Sequence, residues 1–178
     1  MSVFSQVHAK FYLDIPVYKM NELKESTRYL ISRKLFQYDD TLNGVILAFK
    51  NAAPVDRFAR FYADTPSIHM QMEADFIVFK PKIGTILPAK VTFVTANSVT
   101  LSVLGTFTAN VDVSELKKDW SFSRSVWRKG ADSFGENDTL QVSITESIPT
   151  SNGLDFTVNV IKKLSESSDD VENGEIAE

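Results

Sequence analysis

The sequence of 178 residues predicts an α+β protein, in which an N-terminal α/β domain precedes a small barrel of five β-strands. Two observations predict this class. In the first 80 residues, apolar side chains recur with period two, then with a period of three to four, then with period two again, which is typical of strand, helix and strand. After residue 80 only the strand period returns, in short and evenly spaced runs.

The N-terminal elements follow in order from these periods. Residues 7–15 alternate apolar and polar side chains, which predicts a half-buried strand with His8 toward water. Apolar residues then recur every three or four positions from Leu23 to Leu35, and Asn21 is the expected N-cap of this helix. The apolar run 45–49 predicts a central strand paired across a β-α-β crossover. Residues 68–78 show the clearest alternation of all.

The C-terminal part begins after a predicted boundary between residues 80 and 81. Pro81 cannot donate to a β-ladder and Gly84 permits a bend. Five strand patterns follow as far as residue 164, with a polar insertion at roughly 114–138 between the third and fourth, which is the profile of an OB-type Greek-key barrel. An immunoglobulin-like sandwich would need about seven strands. Because alternate residues of a strand share one face, we expect Phe93, Phe107 and Phe156 in the barrel core with their apolar neighbours.

Charge is distributed unevenly along the chain. Residues 165–178 carry six acids and no base, so we expect a disordered acidic tail. Ser167 precedes Asp169 and Asp170, a context that suits an acid-directed kinase, although a passive solubilising tail explains the composition better. The other 164 residues hold 19 bases and 17 acids, which permits a polyanionic partner but excludes a dedicated DNA binder.

Catalysis, cofactors and membrane insertion find little support. The chain has no cysteine, two histidines and no glycine-rich phosphate loop, so we expect no metal and no cofactor. Glu73 and Asp75 are spaced as a carboxylate pair on one strand face, but a solvated face explains them better, and we expect no catalytic residue. No apolar run reaches the roughly 18 residues of a membrane helix, so we expect a soluble, intracellular protein.

Two surfaces are candidates for binding. The first is the insertion, whose basic and aromatic residues suit weak binding of single-stranded RNA; a solvated loop pinned by its tryptophans is the alternative. Its predicted RNA-contacting residues, with one from the preceding strand, are Lys90, Lys117, Lys118, Arg124, Trp127, Arg128 and Lys129. The N-terminal domain lacks the aromatic residues that an RRM stacks on bases, because residues 45–48 are aliphatic.

The second surface is the irregular stretch 51–67, which we expect to be a long loop with one helical turn. Its mixture of arginine and aromatic residues is typical of interface hot spots, and local cover of the core is the competing interpretation. The residues predicted to bind a partner are Pro54, Arg57, Phe58, Arg60, Phe61 and Tyr62.

Two runs in this sequence resemble the larger stalk subunit of RNA polymerase I. They are Tyr38-Asp39-Asp40-Thr41-Leu42-Asn43-Gly44-Val45-Ile46-Leu47-Ala48-Phe49-Lys50-Asn51 and Ile68-His69-Met70-Gln71-Met72-Glu73-Ala74-Asp75-Phe76-Ile77-Val78-Phe79-Lys80-Pro81-Lys82-Ile83-Gly84. In that family a tip domain precedes an OB barrel. The resemblance therefore implies a tip domain over residues 1–80 and an OB domain over 81–164.

The resemblance also implies a non-catalytic role in ribosomal RNA synthesis, in the nucleus and nucleolus. Such subunits pair with a smaller stalk subunit, seat the tip domain on the polymerase core, receive the polymerase I initiation factor and offer the barrel to nascent RNA. By position, the stretch 51–67 resembles the segment that inserts toward the core. The stalk subunits of polymerases II and III share the two-domain plan, and the stretch Glu73-Ala74-Asp75-Phe76 favours polymerase I. A free-standing OB-fold RNA-binding protein is the main alternative.

Overall fold

A computed structural model describes residues 2–150 and 153–164 and confirms the α+β class with a closed barrel of five strands. The chain divides into two compact units. The first comprises Met1–Thr85 and Ile144–Phe156, and the second comprises Ile86–Ser143 and Thr157–Glu178. The predicted boundary between residues 80 and 81 stays a prediction. The predicted disordered tail, including Ser167, lies outside the described residues.

The first unit is built on one antiparallel sheet. Its elements are β1 (Phe4–Pro16), α1 (Leu23–Ser32), β2 (Tyr38–Asp39), β3 (Gly44–Pro54), β4 (Arg60–Phe61) and β5 (Ser67–Phe79), in the sheet order β1-β5-β3-β2 with β4 on β5. The prediction that β3 pairs directly with β1, across a β-α-β crossover, is therefore wrong. β5 lies between β1 and β3 and pairs antiparallel with both, because it returns into the gap that the crossover leaves.

Alternation along β1 and β5 places one apolar face of the sheet inward. The two strands pair over their full length, from Phe4 opposite Phe79 to Pro16 opposite Ser67. Ile15, Met72 and Val78 are buried on this face, and Ile31 of α1 packs into the same cluster. His8 points away from it and is exposed, as predicted.

The entry to α1 differs from the prediction. A 3₁₀ helix spans Val17–Glu22, so the α-helix begins directly from it at Leu23. Glu22 occupies the N-cap position and no side chain caps the helix there. Asn21 is therefore not the N-cap, because the 3₁₀ turn already contains it.

The stretch 51–67 is more regular than predicted, and it contains no helical turn. β3 continues through Asn51 to Pro54, and the two-residue strand β4 pairs with His69 and Ile68 of β5. A short strand replaces the expected turn because β5 offers a free stretch of backbone beyond the end of its pairing with β3.

The second unit contains the insertion and most of the barrel, since residues 144–156 of the last two barrel strands belong to the first unit. The elements are β6 (Ile86–Val94), β7 (Val99–Val103), β8 (Phe107–Val111), α2 (Val113–Asp119), β9 (Ser121–Ser123), β10 (Val126–Lys129), β11 (Asp132–Phe134), β12 (Thr139–Thr150) and β13 (Gly153–Lys163). The barrel closes in the order β6-β7-β8-β13-β12 and back to β6. Its interior is filled by alternate residues such as Val91, Leu101 and Val158.

One predicted core residue lies outside the barrel. Phe107 and Phe156 are buried as expected, but Phe93 is 50% exposed. The pairing of β6 with β7 shifts by one residue between Val91 and Phe93, and this irregularity moves Val94 inward in place of Phe93. A parity argument fails beyond such a bulge, because the extra residue exchanges the two faces of the strand.

The insertion between β8 and β12 is a folded element. It consists of α2, whose N-cap Asp112 accepts hydrogen bonds from the Ser114 and Glu115 amides, and a three-stranded sheet in the order β11-β10-β9. Trp120 stacks edge-on against Phe134, 5.0 Å between ring centroids, and both are buried. Trp120 and Phe134 therefore give the insertion a small core of its own.

Within residues 2–150 and 153–164, no helix is long and apolar enough to cross a membrane.

Candidate docking segment and nucleic-acid surface

The candidate docking segment, residues 54–62, is held at both ends and exposed between them. At its start, the Val55 amide donates to the Gln71 carbonyl at 2.9 Å. At its end, β4 pairs with β5, and the Tyr62 ring lies edge-on to His69 with centroids 4.7 Å apart. Phe58 is 85% exposed and Phe61 is 63% exposed. This geometry does not fit local cover of the core.

The cations of the docking segment are equally accessible. Arg57 and Arg60 are exposed, and the described residues provide no carboxylate within ion-pair distance of either. Two rings and two guanidinium groups thus face solvent over a backbone that is anchored to β5. Exposed aromatic residues beside arginine form the composition that protein interfaces favour.

The polar face of the sheet beside this segment is an ion-pair network. His8 Nδ1 lies 2.9 Å from Asp75 Oδ1, and its Nε2 lies 3.6 Å from Glu73 Oε2. Asn51 Nδ2 donates to Asp75 Oδ2 at 2.8 Å. On the same face, His69 pairs with Asp14. The carboxylates of Glu73 and Asp75 are therefore engaged by neighbouring side chains.

The network shifts two pKa values in opposite directions. The hydrogen bond between His8 and Asp75 raises the pKa of His8 above 6.5, and the negative charges of Asp75 and Glu73 raise this pKa further. Hydrogen bonds from His8 and then from Asn51 lower the pKa of Asp75 below 3.8. General acid or base work near neutral pH requires a carboxyl pKa raised toward 7, so the shift of Asp75 favours ion pairing over catalysis.

The predicted RNA-contacting residues do not form one patch of free cations. Lys118 pairs with Glu115 at 2.6 Å, and Lys129 pairs with Asp119 at 2.7 Å. Lys117 donates to Asn97 Oδ1 at 3.2 Å. The remaining cations, Lys90, Arg124 and Arg128, are exposed, with no carboxylate of the described residues within ion-pair distance.

Trp127 has a structural position rather than an exposed one. Its side chain is 1% exposed, and its Nε1 donates to the Thr95 carbonyl at 3.1 Å. Phe122 packs against it with ring centroids 5.4 Å apart. The ring is therefore not accessible to a stacked base, and it pins the insertion onto the loop that follows β6.

Phe93 is the accessible ring that the sequence argument missed. It lies on the outer surface of β6, three residues after Lys90 and opposite Thr100 of β7. Thr92 and Thr108, also exposed, extend a polar surface over β6, β7 and β8. The sequence contained a signal of this exposure: Phe93 and Val94 are consecutive apolar residues, so they break the alternation that begins at Val91.

These features define the class of the protein: an OB-fold protein with an N-terminal α+β unit and exposed aromatic and basic side chains. The family model described as the RPA43 OB domain in RNA Pol I matches residues 81–175. This match covers more than half of the chain, and the chain belongs to this RPA43 family.

Three relatives show how far the similarity extends. A probable DNA-directed RNA polymerase I subunit RPA43 of Dictyostelium discoideum is 28% identical over 122 residues, which are 68% of this chain and 34% of the relative. The Schizosaccharomyces pombe subunit rpa43 is 30% identical over 103 residues, 58% of this chain and 57% of the relative. The Homo sapiens subunit RPA43 is 30% identical over 96 residues, 54% of this chain and 28% of the relative. The matches thus span between about a quarter and just over half of each relative.

Proposed function

We propose that this chain is a non-catalytic stalk subunit of DNA-directed RNA polymerase I that acts in ribosomal RNA transcription, in the nucleus and nucleolus. Membership of the RPA43 family supports this proposal, because the relatives are named as subunits of that polymerase. The chain contributes binding surfaces, and the chemistry of RNA synthesis belongs to the rest of the complex.

The observation that carries the proposal is the exposure of Phe58 and Phe61 on an anchored backbone. In this proposal residues 54–62 insert toward the polymerase core, with both rings buried on assembly and Arg57 and Arg60 paired with acidic groups at the rim. The smaller stalk subunit and the polymerase I initiation factor are further partners. Tight local anchoring keeps the conformational entropy lost on docking small.

The double substitution Phe58→Ala, Phe61→Ala tests this role in cells that express the tagged full chain. Since both rings are solvated in the free chain, we expect an unchanged unfolding transition and loss of co-purifying polymerase I subunits. Tyr18→Ala is the matched control, because Tyr18 is as exposed as Phe58 but lies in the 3₁₀ helix. Retention of the polymerase by the double variant refutes docking through this segment, and a cooperative unfolding defect favours core cover.

A second proposed function is weak, sequence-indifferent binding of nascent single-stranded RNA on the barrel. Exposed Phe93 on the same strand as Lys90, and exposed Arg124 and Arg128 of the insertion, support it, since an accessible ring suits stacking on one base and unpaired cations suit contact with phosphates. Lys117, Lys118 and Lys129 join this surface only if RNA displaces their present partners. Trp127 contributes by holding the insertion in place.

Titration of labelled single-stranded RNA at two salt concentrations tests this second function. Affinity is expected to fall with salt, with a log–log slope of about 0.7 per phosphate contacted. Phe93→Ala should weaken binding about fivefold or more, because one stacked base contributes about 1–3 kcal/mol. Ile86→Ala, an exposed position on the same strand, is the control. Binding that is independent of salt, or equal in both variants, contradicts this surface.

A further inference from the structure

An unfilled apolar groove lies between α1 and the sheet of the first unit. Its volume is about 550 Å³, and its lining is mostly apolar. Met72 and Phe49 contribute from the sheet, and Leu23 contributes from the helix. The other lining residues are Lys24, Thr27, Arg28, Asn51, Ala52, Ala53 and Pro54. A volume of this size, within the about 300–1,000 Å³ of typical binding pockets, accepts several side chains.

The groove has a local structural cause. The pairing of β3 with β5 is interrupted between Lys50 and Ala53, so β3 leaves its regular register there. Ala53 pairs with Glu73 and so shares the polar face of the sheet, which leaves Ala52 as the alanine that faces α1, and its single methyl group does not fill the space beneath the helix. As a result Leu23, Phe49 and Ala52 are only partly buried at the edge of the core cluster.

The rim of the groove is positively charged. Lys24 and Arg28 are one helical turn apart on α1, so they lie on the same side of the helix. No acidic residue lines the groove, and among the described residues no carboxylate lies within ion-pair distance of either cation. From Val17 to Lys34 the chain has five bases and two acids. An occupant with negative charge next to apolar side chains complements this surface.

We propose that this groove binds an acidic amphipathic helix of a partner protein. The apolar face of that helix enters the space over Met72, Phe49 and Ala52, and its carboxylates pair with Lys24 and Arg28. In helix-in-groove recognition, the bound helix inserts apolar residues that are three or four positions apart, and charged residues flank them. Single-stranded RNA fits less well, since the lining offers one half-buried ring and no stacking platform.

The buried hydroxyl of Thr27 is consistent with an occupied groove. Thr27 lies in the wall contributed by α1, and its Oγ1 is buried without a hydrogen-bond partner among the described residues. A buried hydroxyl without a partner is unfavourable. A bound helix that offers a polar group to this wall would supply the missing partner.

Fluorescence anisotropy with the full chain tests the proposal directly. The probe is a labelled synthetic helical peptide with leucine at every third or fourth position and glutamate on the flanks. A peptide of the same composition with its leucines dispersed around the helix is the control probe. We expect saturable binding of the first peptide only, weakening as salt rises because the flanking charges are solvated.

Two pairs of variants locate the binding site. Ala52→Leu places its longer side chain in the groove and should raise the Kd about tenfold or more, whereas Ala48→Leu, exposed on the same strand outside the groove, should leave it unchanged. Lys24→Ala with Arg28→Ala should weaken binding and flatten its salt dependence. Arg33→Ala with Lys34→Ala removes two charges of the same chain region that do not line the groove, and serves as the control.

Four results would overturn the proposal: no saturable binding of the acidic peptide, equal binding of the dispersed peptide, unchanged affinity in Ala52→Leu, or displacement of the peptide by single-stranded RNA. Sedimentation of the free chain tests whether a second copy of the chain occupies the groove instead. A dimer that Ala52→Leu dissociates assigns the groove to that second copy, and so also contradicts an acidic partner helix.

Discussion

Replacing Gly44 by alanine should destabilise the first unit, although Gly→Ala often stabilises a chain. The backbone of Gly44 has no positive φ, so alanine is conformationally permitted and restricts the unfolded chain by about 0.4–1 kcal/mol. The obstacle is steric. A Cβ at this position would lie 2.7 Å from the Phe79 carbonyl oxygen and 2.7 Å from Val78 Cγ1. The first of these atoms is backbone and cannot yield without shifting β5.

The magnitude follows from the competition between these two effects. Overpacking of a filled interior costs about 1–3 kcal/mol. After subtracting the gain in the unfolded state, the mid-values of these ranges leave Gly44→Ala less stable to unfolding by about 1.3 kcal/mol. The separation of β3 from β5 at its N-terminal end thus depends on the absence of one methyl group.

Gly135→Ala is the matched control for this prediction. Its Cβ would meet Val126 Cγ2 at 3.7 Å and the Ser125 oxygen at 3.8 Å, which are ordinary contacts, and it should be neutral or slightly stabilising. Urea unfolding followed by far-UV circular dichroism gives both values, provided that the slope m stays constant. A Gly44→Ala variant as stable as the original chain would refute the steric argument.

Two further predictions concern Trp127 and His8. Trp127→Ala should lower the free energy of unfolding by about 3–5 kcal/mol, because it empties a buried site and leaves the Thr95 carbonyl without its donor. Phe93→Ala should change this free energy by less than about 0.5 kcal/mol. Urea unfolding of the two variants measures the difference. For His8, the raised pKa means that the stabilisation by its ion pairs is complete below pH 6.5 and is lost as pH rises through the folded-state pKa. His8→Gln should therefore remove the decline in stability over that window, and an NMR titration giving a pKa at or below 6.5 would contradict it.

Much of the fold was accessible from local sequence patterns. Alternation in residues 7–15 and 68–78 correctly predicted which side chains of β1 and β5 face the core, because the two strands keep an unbroken register. The five barrel strands were found from the same kind of alternation. Patterns of this kind depend only on the geometry of one strand and one buried face.

The failures arise where structure depends on partners distant in sequence. Parity placed Phe93 in the core, but the irregular pairing of β6 with β7 reverses the faces after Val91. The position of β5 between β1 and β3 is a property of the whole sheet, which no single segment encodes. Trp127 carried no local signal for burial, because its hydrogen-bond acceptor lies 32 residues earlier in the chain.

The candidate surfaces were predicted in part. The composition of residues 54–62 indicated a docking segment, and the structure adds the anchoring of its ends and the exposure of its rings. The groove beside α1 had no signature in sequence. It arises from an interruption of strand pairing combined with the small side chain of Ala52, and these residues lie well apart in the chain from Leu23 and Met72.

The most direct test of the account is purification of the tagged full chain from cells, followed by mass spectrometric identification and quantification of the bound subunits. The account predicts the largest subunits of RNA polymerase I in near-equal amounts with the chain, together with a smaller stalk partner. Recovery of RNA polymerase II or III subunits instead, or of a free chain without any polymerase, would contradict it.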